Sequence, residues 1–196
     1  HVKLTQQTGY PWDGKIKLEL VPEAAGSFDV MLRIPGWVNN QPVPSDLYHY
    51  ASGEKGTVNI TVNGRAKEYK VEKGYAVLSG EWKSGDVIEM DLPMDIRKSE
   101  ANDKVEADVN HIAIERGPIV YCAEFADNKG AVLNYVLKPE TALNTVYDDT
   151  LFGGVNLLKG YAERIVAEDN FKVIKSVTDS LTLIPYYARS HRGMVR

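Results

Sequence analysis

Apolar and polar residues alternate along most of this chain. In Lys15-Ile16-Lys17-Leu18-Glu19-Leu20 every second residue is apolar and the residues between are charged. An extended segment with that period turns one face to a core and the other to water. The same period runs through Phe28 to Ile34, Val58 to Val62 and Val87 to Leu92, the last setting Ile88, Met90 and Leu92 on one side. Further runs predict strands within 68–71, 75–78, 112–114, 119–125, 132–137, 155–158, 171–177 and 181–187. Turn chemistry separates them at the spacing of about 8–12 residues found in sandwiches and barrels. Asn63-Gly64 is the clearest hairpin signal, because both residues tolerate positive φ. Pro35-Gly36, Ser84-Gly85-Asp86, Asn128-Lys129-Gly130 and Gly153-Gly154 act in the same way. Only the window 159–169, with Ala162, Ile165 and Val166 at helical spacing, suggests one short helix, and Gly160 argues against it.

The expectation is an all-β protein with little helix. With 196 residues the chain has room for two domains of about 100 residues each. A polar stretch from Arg97 to Lys104 separates the fourth strong strand pattern from a fresh apolar run. It predicts two antiparallel β-sandwiches of jelly-roll or immunoglobulin-like type, residues 1–103 and 104–196. A single larger sandwich with a long crossover is the alternative, and no internal repeat is visible. The chain starts at His1 in strand-like alternation and ends at Gly193-Met194-Val195-Arg196, so it reads as a piece of a longer polypeptide. The compartment is therefore left open.

Charge narrows the partners. Lys and Arg total 23 against 27 Asp and Glu, a net charge of −4. Without a local basic stripe such a surface repels phosphate backbones, which argues against nucleic acid as a partner. No apolar run approaches the roughly 18–20 residues of a membrane-spanning helix. The single cysteine, Cys122, excludes an internal disulfide and any multi-thiolate metal site. It lies in the apolar run Ile119-Val120-Tyr121-Cys122-Ala123, where core packing is the simpler reading than a reactive thiol. His1, His49, His111 and His191 show no paired spacing of metal ligands. The abundant acids fall on the outward phase of strands (Glu19, Glu89, Asp91) or in loops (Asp148, Asp149), as a solvated face requires. Serine-hydrolase and phosphate-loop signatures are absent. No residue of this chain is assigned a catalytic, cofactor-binding or metal-binding role.

Two features remain as candidate contacts. Tyr10-Pro11-Trp12, Pro35-Gly36-Trp37 and Gly80-Glu81-Trp82 each put an indole at a strand end or turn. Trp12, Trp37 and Trp82 are candidate sugar contacts, because the apolar face of a sugar ring stacks on an exposed indole; the competing reading is that each plugs an end of a sandwich. Arg116-Gly117-Pro118 interrupts a strong strand pattern, which predicts a bulge or an edge and makes Arg116 a candidate interface residue.

Five motifs occur in a characteristic order: Thr8-Gly9-Tyr10-Pro11-Trp12; Leu32-Arg33-Ile34-Pro35-Gly36-Trp37; Gly85-Asp86-Val87-Ile88 running to Leu92-Pro93-Met94; Glu115 to Cys122; and Leu183 to Ala188 followed by His191-Arg192-Gly193. Together they resemble the C-terminal part of glycoside hydrolase family 127, the β-L-arabinofuranosidase-like enzymes. The resemblance implies that an upstream (α/α)₆ barrel carries the chemistry, with a zinc-held cysteine nucleophile and glutamates, and that β-sandwiches follow it. On that implication the zinc belongs to the parent's barrel and this chain needs no cofactor. Its expected partners are that barrel, a second copy in a homodimer, or a glycan. A carbohydrate-binding module using the surface tryptophans is the alternative function. A periplasmic or extracellular parent suits a polysaccharide degrader, as does one acting on imported oligosaccharides.

Overall fold

A computed structural model describes residues 1–169 and 172–192. Phe171 of the expected 171–177 strand, Gly193 of the last motif and the final residues 194–196 lie outside the described residues. The chain forms two compact units, one of residues 1–95 and 100–110, the other of 96–99 and 111–196. It thus passes between them three times around the polar stretch, rather than once near residue 103.

The first unit is built from β1 (Val2–Thr8), β2 (Lys15–Pro22), β3 (Gly26–Arg33), β4 (Tyr48–Tyr50), β5 (Asn59–Val62), β6 (Arg65–Ala66), β7 (Lys70–Glu72), β8 (Tyr75–Trp82) and β9 (Asp86–Asp91). Five of these form a sheet in the order β1-β2-β9-β5-β6, and three form another in the order β3-β8-β7. One apolar cluster contains residues of both sheets, including Leu18, Leu20, Ile60, Ile88 and Met90 from the larger, Val30, Leu32, Ala76, Leu78 and Trp82 from the smaller. That is a sandwich, and the alternating pattern put Leu18, Leu20, Val30, Leu32, Ile60, Ile88 and Met90 on one face of their strands. Asn63 (φ 50°) and Gly64 (φ 75°) form the hairpin turn between Val62 and Arg65.

A polar lock holds the turn into β9. Asp86 accepts hydrogen bonds from the Lys83 backbone N–H (2.8 Å) and the Asn63 side-chain amide (3.0 Å), and Asn63 accepts one from the Val87 N–H (2.9 Å). The segment 100–110 is stitched to β4 by Tyr48, whose hydroxyl donates to Asp108 at 2.8 Å, and by Asn102, whose N–H donates to the Leu47 carbonyl at 2.7 Å.

The second unit uses the first part of β10 (Ile96–Ala101), then β11 (Ile112–Arg116), β12 (Ile119–Ala123), β13 (Tyr135–Val136), β14 (Leu143–Asp148), β15 (Val155–Glu168) and β16 (Val173–Pro185). Its strands follow the order β13-β15-β16-β12-β11-β10, with β14 also paired to β15. The sheet curls over itself. Ile96, Ile112 and Ile114 from one end share a cluster with Tyr135 and Leu143 from the other, around Leu158, Leu181 and Leu183. The Lys98 ammonium fastens that closure by donating to the carbonyls of Lys138 (2.8 Å), Pro139 and Thr141 (3.0 Å). Burial holds its pKa below the usual lysine value. A smaller cluster of Val155, Leu157, Ile184 and Ala188 lies on the opposite face.

Two expectations are corrected here. The window 159–169 is strand, not helix: β15 pairs with β16 from Leu158↔Leu183 to Glu168↔Val173. The register rewards its alternation with a full ladder, and Gly160 is needed because a Cβ there would sit 2.4 Å from the Ala142 carbonyl oxygen. Residues 132–137 begin as a 3-10 turn, Val132–Asn134, and only Tyr135–Val136 pair as strand.

Replacing Asp86 by Ala is expected to destabilise the chain by about 1–3 kcal/mol, since two donors lose their acceptor. The Lys83 N–H and the Asn63 amide hold the Asp86 carboxyl below its ordinary value of 3.8. Its ionised form therefore stabilises the fold fully above that value, and the advantage is lost as the pH falls through the lower folded value. Urea unfolding of wild type and Asp86→Asn at pH 7 and pH 3 should show a stability gap at pH 7 that narrows at pH 3.

Candidate functional site

The three tryptophans separate cleanly. Trp82 ends β8 and is 3% exposed; its indole N–H donates to the Phe28 carbonyl at 2.9 Å, and its ring lies 6.3 Å from that of Phe28. Trp37 sits in the 3-10 turn Gly36–Asn39 and is 9% exposed within the same core. Both rings are packed in the core of the first unit and leave almost no open face for a sugar to stack on. Trp12 differs. It lies in the turn between β1 and β2, with its N–H bonded to the Gly9 carbonyl at 2.8 Å, and its side chain is 40% exposed.

Arg116 closes β11 in a two-residue hairpin rather than at a bulge. Arg116 pairs with Ile119, and Gly117 takes a φ of 56°, the conformation a tight hairpin turn needs and a side chain resists. Arg116 is half-buried beside Tyr121, whose hydroxyl is pushed upward by burial and partly pulled back by the guanidinium.

Cys122 packs on the small cluster of Val155, Leu157, Ile184 and Ala188. Burial, then Glu124, pushes its thiol above the ordinary value, the opposite of what a nucleophile or metal ligand needs. Among the described residues, no three of His, Cys, Asp and Glu gather in a manner that would hold a metal ion. The residues present do not fit the zinc site that the family resemblance implies for the barrel.

Beside Cys122 lies a cluster that sequence reasoning missed. Arg192 donates to Glu124 (2.7 Å) and to both oxygens of Asp127 (2.6 Å for one of them), and the Ser190 N–H donates to Glu124 at 2.6 Å. Burial draws the Glu124 pKa upward, but these donors outweigh it and hold it low. Next along, the Asn128 amide donates to the Glu124 and Thr182 carbonyls and accepts from the Thr182 N–H at 2.8 Å. The cluster clamps residues 186–192 to the end of β12. The terminal nitrogens of Arg192 and both carboxylates are paired with one another, while the Arg192 Nε is buried without a hydrogen-bond partner.

An open groove of about 570 Å³ lies on the outer face of the five-stranded sheet. Lys15 and Lys17 of β2, Glu89 and Asp91 of β9, and Asn59 and Thr61 of β5 line it, and Gly9 and Asp13 form part of its wall. These residues project outward because Ile16, Leu18, Ile88, Met90 and Ile60 between them point in. Alternation revealed each one as an outward residue, but not that β5 joins β9 and β9 joins β2, which is what makes them neighbours.

The comparisons agree with this architecture. Residues 1–94 match the model for the β-L-arabinofuranosidase GH127 middle domain, and residues 96–196 match the glycoside hydrolase family 127 C-terminal domain. A non-reducing end β-L-arabinofuranosidase of Bifidobacterium longum subsp. longum is 30% identical over 203 residues, covering 95% of this chain and 28% of the relative. The solved structure of a GH127 β-arabinofuranosidase superposes with a TM-score of 0.91 at 40% identity, over 98% of this chain and 30% of the other. A GH127 β-L-arabinofuranosidase from Geobacillus stearothermophilus T6 gives 0.84 at 32% identity, over 98% and 29%. The chain thus spans under a third of the length of these relatives.

Trp82→Ala is expected to cost about 3–5 kcal/mol and Trp12→Ala less than about 0.5 kcal/mol, since only the first empties a core site. Chemical denaturation of the two variants followed by circular dichroism checks the difference.

With both family models matched in tandem along its length, this chain belongs to glycoside hydrolase family 127, of which it carries the middle and C-terminal domains.

Proposed function

We propose that this chain is a non-catalytic accessory region of a family 127 hydrolase acting on β-L-arabinofuranosides, and that it supports the catalytic barrel of the same polypeptide, its cleft or its dimerisation. The observation that carries the reading is the tandem match to the family's middle and C-terminal domains across under a third of the relatives' length. The placement of Cys122 is in keeping with it: the thiol is packed and raised, not activated.

The fold also offers a surface suited to support. The larger sheet of the first unit has five strands and the smaller three, so the larger overhangs. All seven residues of β1 are exposed. Val2 and Leu4 pair with Pro22 and Leu20, which puts them on the core-facing side of the sheet, yet they are 47% and 48% exposed. An apolar pair on the inner side of an overhanging strand is what a packed neighbour would cover.

The test compares three proteins on a chromogenic β-L-arabinofuranoside: this chain, its full-length parent, and the parent lacking both sandwiches. The expected result is sugar release by the parent only, with the deleted form unstable or impaired. A fourth arm places Val2→Asp and Leu4→Asp together in the parent, where a lowered melting temperature is expected while the isolated chain melts as before. Sugar release by the isolated chain would overturn the reading.

A further inference from the structure

We infer that the groove on the outer face of the five-stranded sheet binds a neutral oligosaccharide through two parallel rows of polar side chains. Lys15, Asp91 and Asn59 lie opposite one another across β2, β9 and β5; two residues along, Lys17, Glu89 and Thr61 form the second row. Neighbouring strands lie about 4.8 Å apart and alternate residues about 6.8 Å apart, so a ring lying across two strands meets two members of one row and the next ring along the strands meets the other row.

Each row holds one donor-only group, one acceptor-only group and one that does both: ammonium, carboxylate, then amide or hydroxyl. A sugar hydroxyl donates and accepts, so it satisfies every member. Each row also pairs a positive with a negative charge. An anionic ligand would gain from the lysines and lose to the carboxylates, which favours an uncharged partner. Among the described residues, Lys15, Lys17 and Asp91 make no ion pair within 4.0 Å, while in the second row the Thr61 hydroxyl donates to Glu89 at 3.4 Å.

The end of the groove is preorganised. Asp13 accepts the Lys15 N–H at 2.9 Å, and Gly9 leaves it room, since a Cβ there would lie 2.5 Å from the Asp13 carboxylate. The same turn carries Trp12, which is 40% exposed and lies outside the lining of the groove. A volume of about 570 Å³ is in the range of small-ligand sites. A merely solvated sheet face accounts for the polarity but not for the concavity or for the paired rows of opposite charge.

The choice of a pentose oligosaccharide as ligand rests on the proposed function; the chemistry of the rows does not. The isotopically labelled 196-residue chain is titrated with arabinotriose, cellotriose and tri-galacturonate, followed by amide chemical shifts and calorimetry. The expected result is saturable binding of arabinotriose, millimolar or tighter, with shifts centred on Lys15, Lys17, Thr61 and Asp91. Asp91→Ala and Asn59→Ala are expected to weaken it about tenfold each with the melting temperature kept, the loss of one hydrogen bond to a ligand. Tri-galacturonate is expected to bind more weakly than arabinotriose. Absent binding of both neutral sugars, shifts centred elsewhere, equal or tighter binding of the uronate, or folded variants that bind as wild type would each overturn the inference; binding of cellotriose alone at these residues would bear it out and overturn the pentose choice. If a variant fails to fold, the wild-type shift map decides. A failure here is distinguishable from failure of the proposed function, which is read from sugar release in the parent.

Discussion

The register that joins β2 to β9 and β9 to β5 sets both faces of the larger sheet at once. Ile16, Met90 and Ile60 stand opposite one another on the inner face, as do Leu18, Ile88 and Val62. The residues between them on the same strands are Lys15, Lys17, Asn59, Thr61, Glu89 and Asp91. A slip of one residue in any strand would send charges into the core and leucines into water, so burial of the inner rows fixes the outer ones. Any chemistry on the outer face is therefore a consequence of hydrophobic packing on the inner one. The Asp86–Asn63 lock matters for the same reason: it pins the start of β9 against the β5–β6 turn, where an error in register would begin.

The second unit meets a different constraint. Its strands belong to one sheet, and a sheet that curls must join ends that backbone hydrogen bonds do not connect. Side chains take over that task. Lys98 gathers three carbonyls at the closure, and Asn128 continues the ladder at Thr182 with its amide. Arg192 ties the last described residues to Glu124 and Asp127. Each is a charged or amide group that gathers several partners at once, which makes burying it tolerable, although the Nε of Arg192 is left without one.

The division between what the sequence revealed and what it hid follows from the range of the interactions. Alternation and turn chemistry are local, so strands such as β2, β3 and β9, the Asn63-Gly64 hairpin and the core residues could be read directly. The helical spacing of Ala162, Ile165 and Val166 misled because a strand's ladder partner lies elsewhere in the chain; β16 supplied it. The Arg116-Gly117-Pro118 signal was correctly placed as a break in the strand, yet the same residue types serve a bulge, an edge or a tight turn. The groove and the Arg192 clamp were hidden altogether. Both join residues distant in sequence through non-sequential neighbours, and no spacing within a strand encodes which strand comes beside it.

The tryptophans show how one local signal serves two ends. Trp12, Trp37 and Trp82 share the same setting, an aromatic at a turn or strand end beside Pro or Gly. The environment decides the outcome: Trp82 lies at the end of a strand of the smaller sheet, which the larger sheet covers, so its indole is drawn inward and its N–H must find a backbone acceptor, which Phe28 provides. Trp12 lies in the turn leaving β1, the edge strand of the larger sheet, every residue of which is exposed. The mismatch of five strands against three thus leaves both the apolar pair Val2 and Leu4 and the indole of Trp12 at one edge. In a free-standing sandwich such an edge would be a liability; under the proposed accessory role it is the edge a packed neighbour would cover.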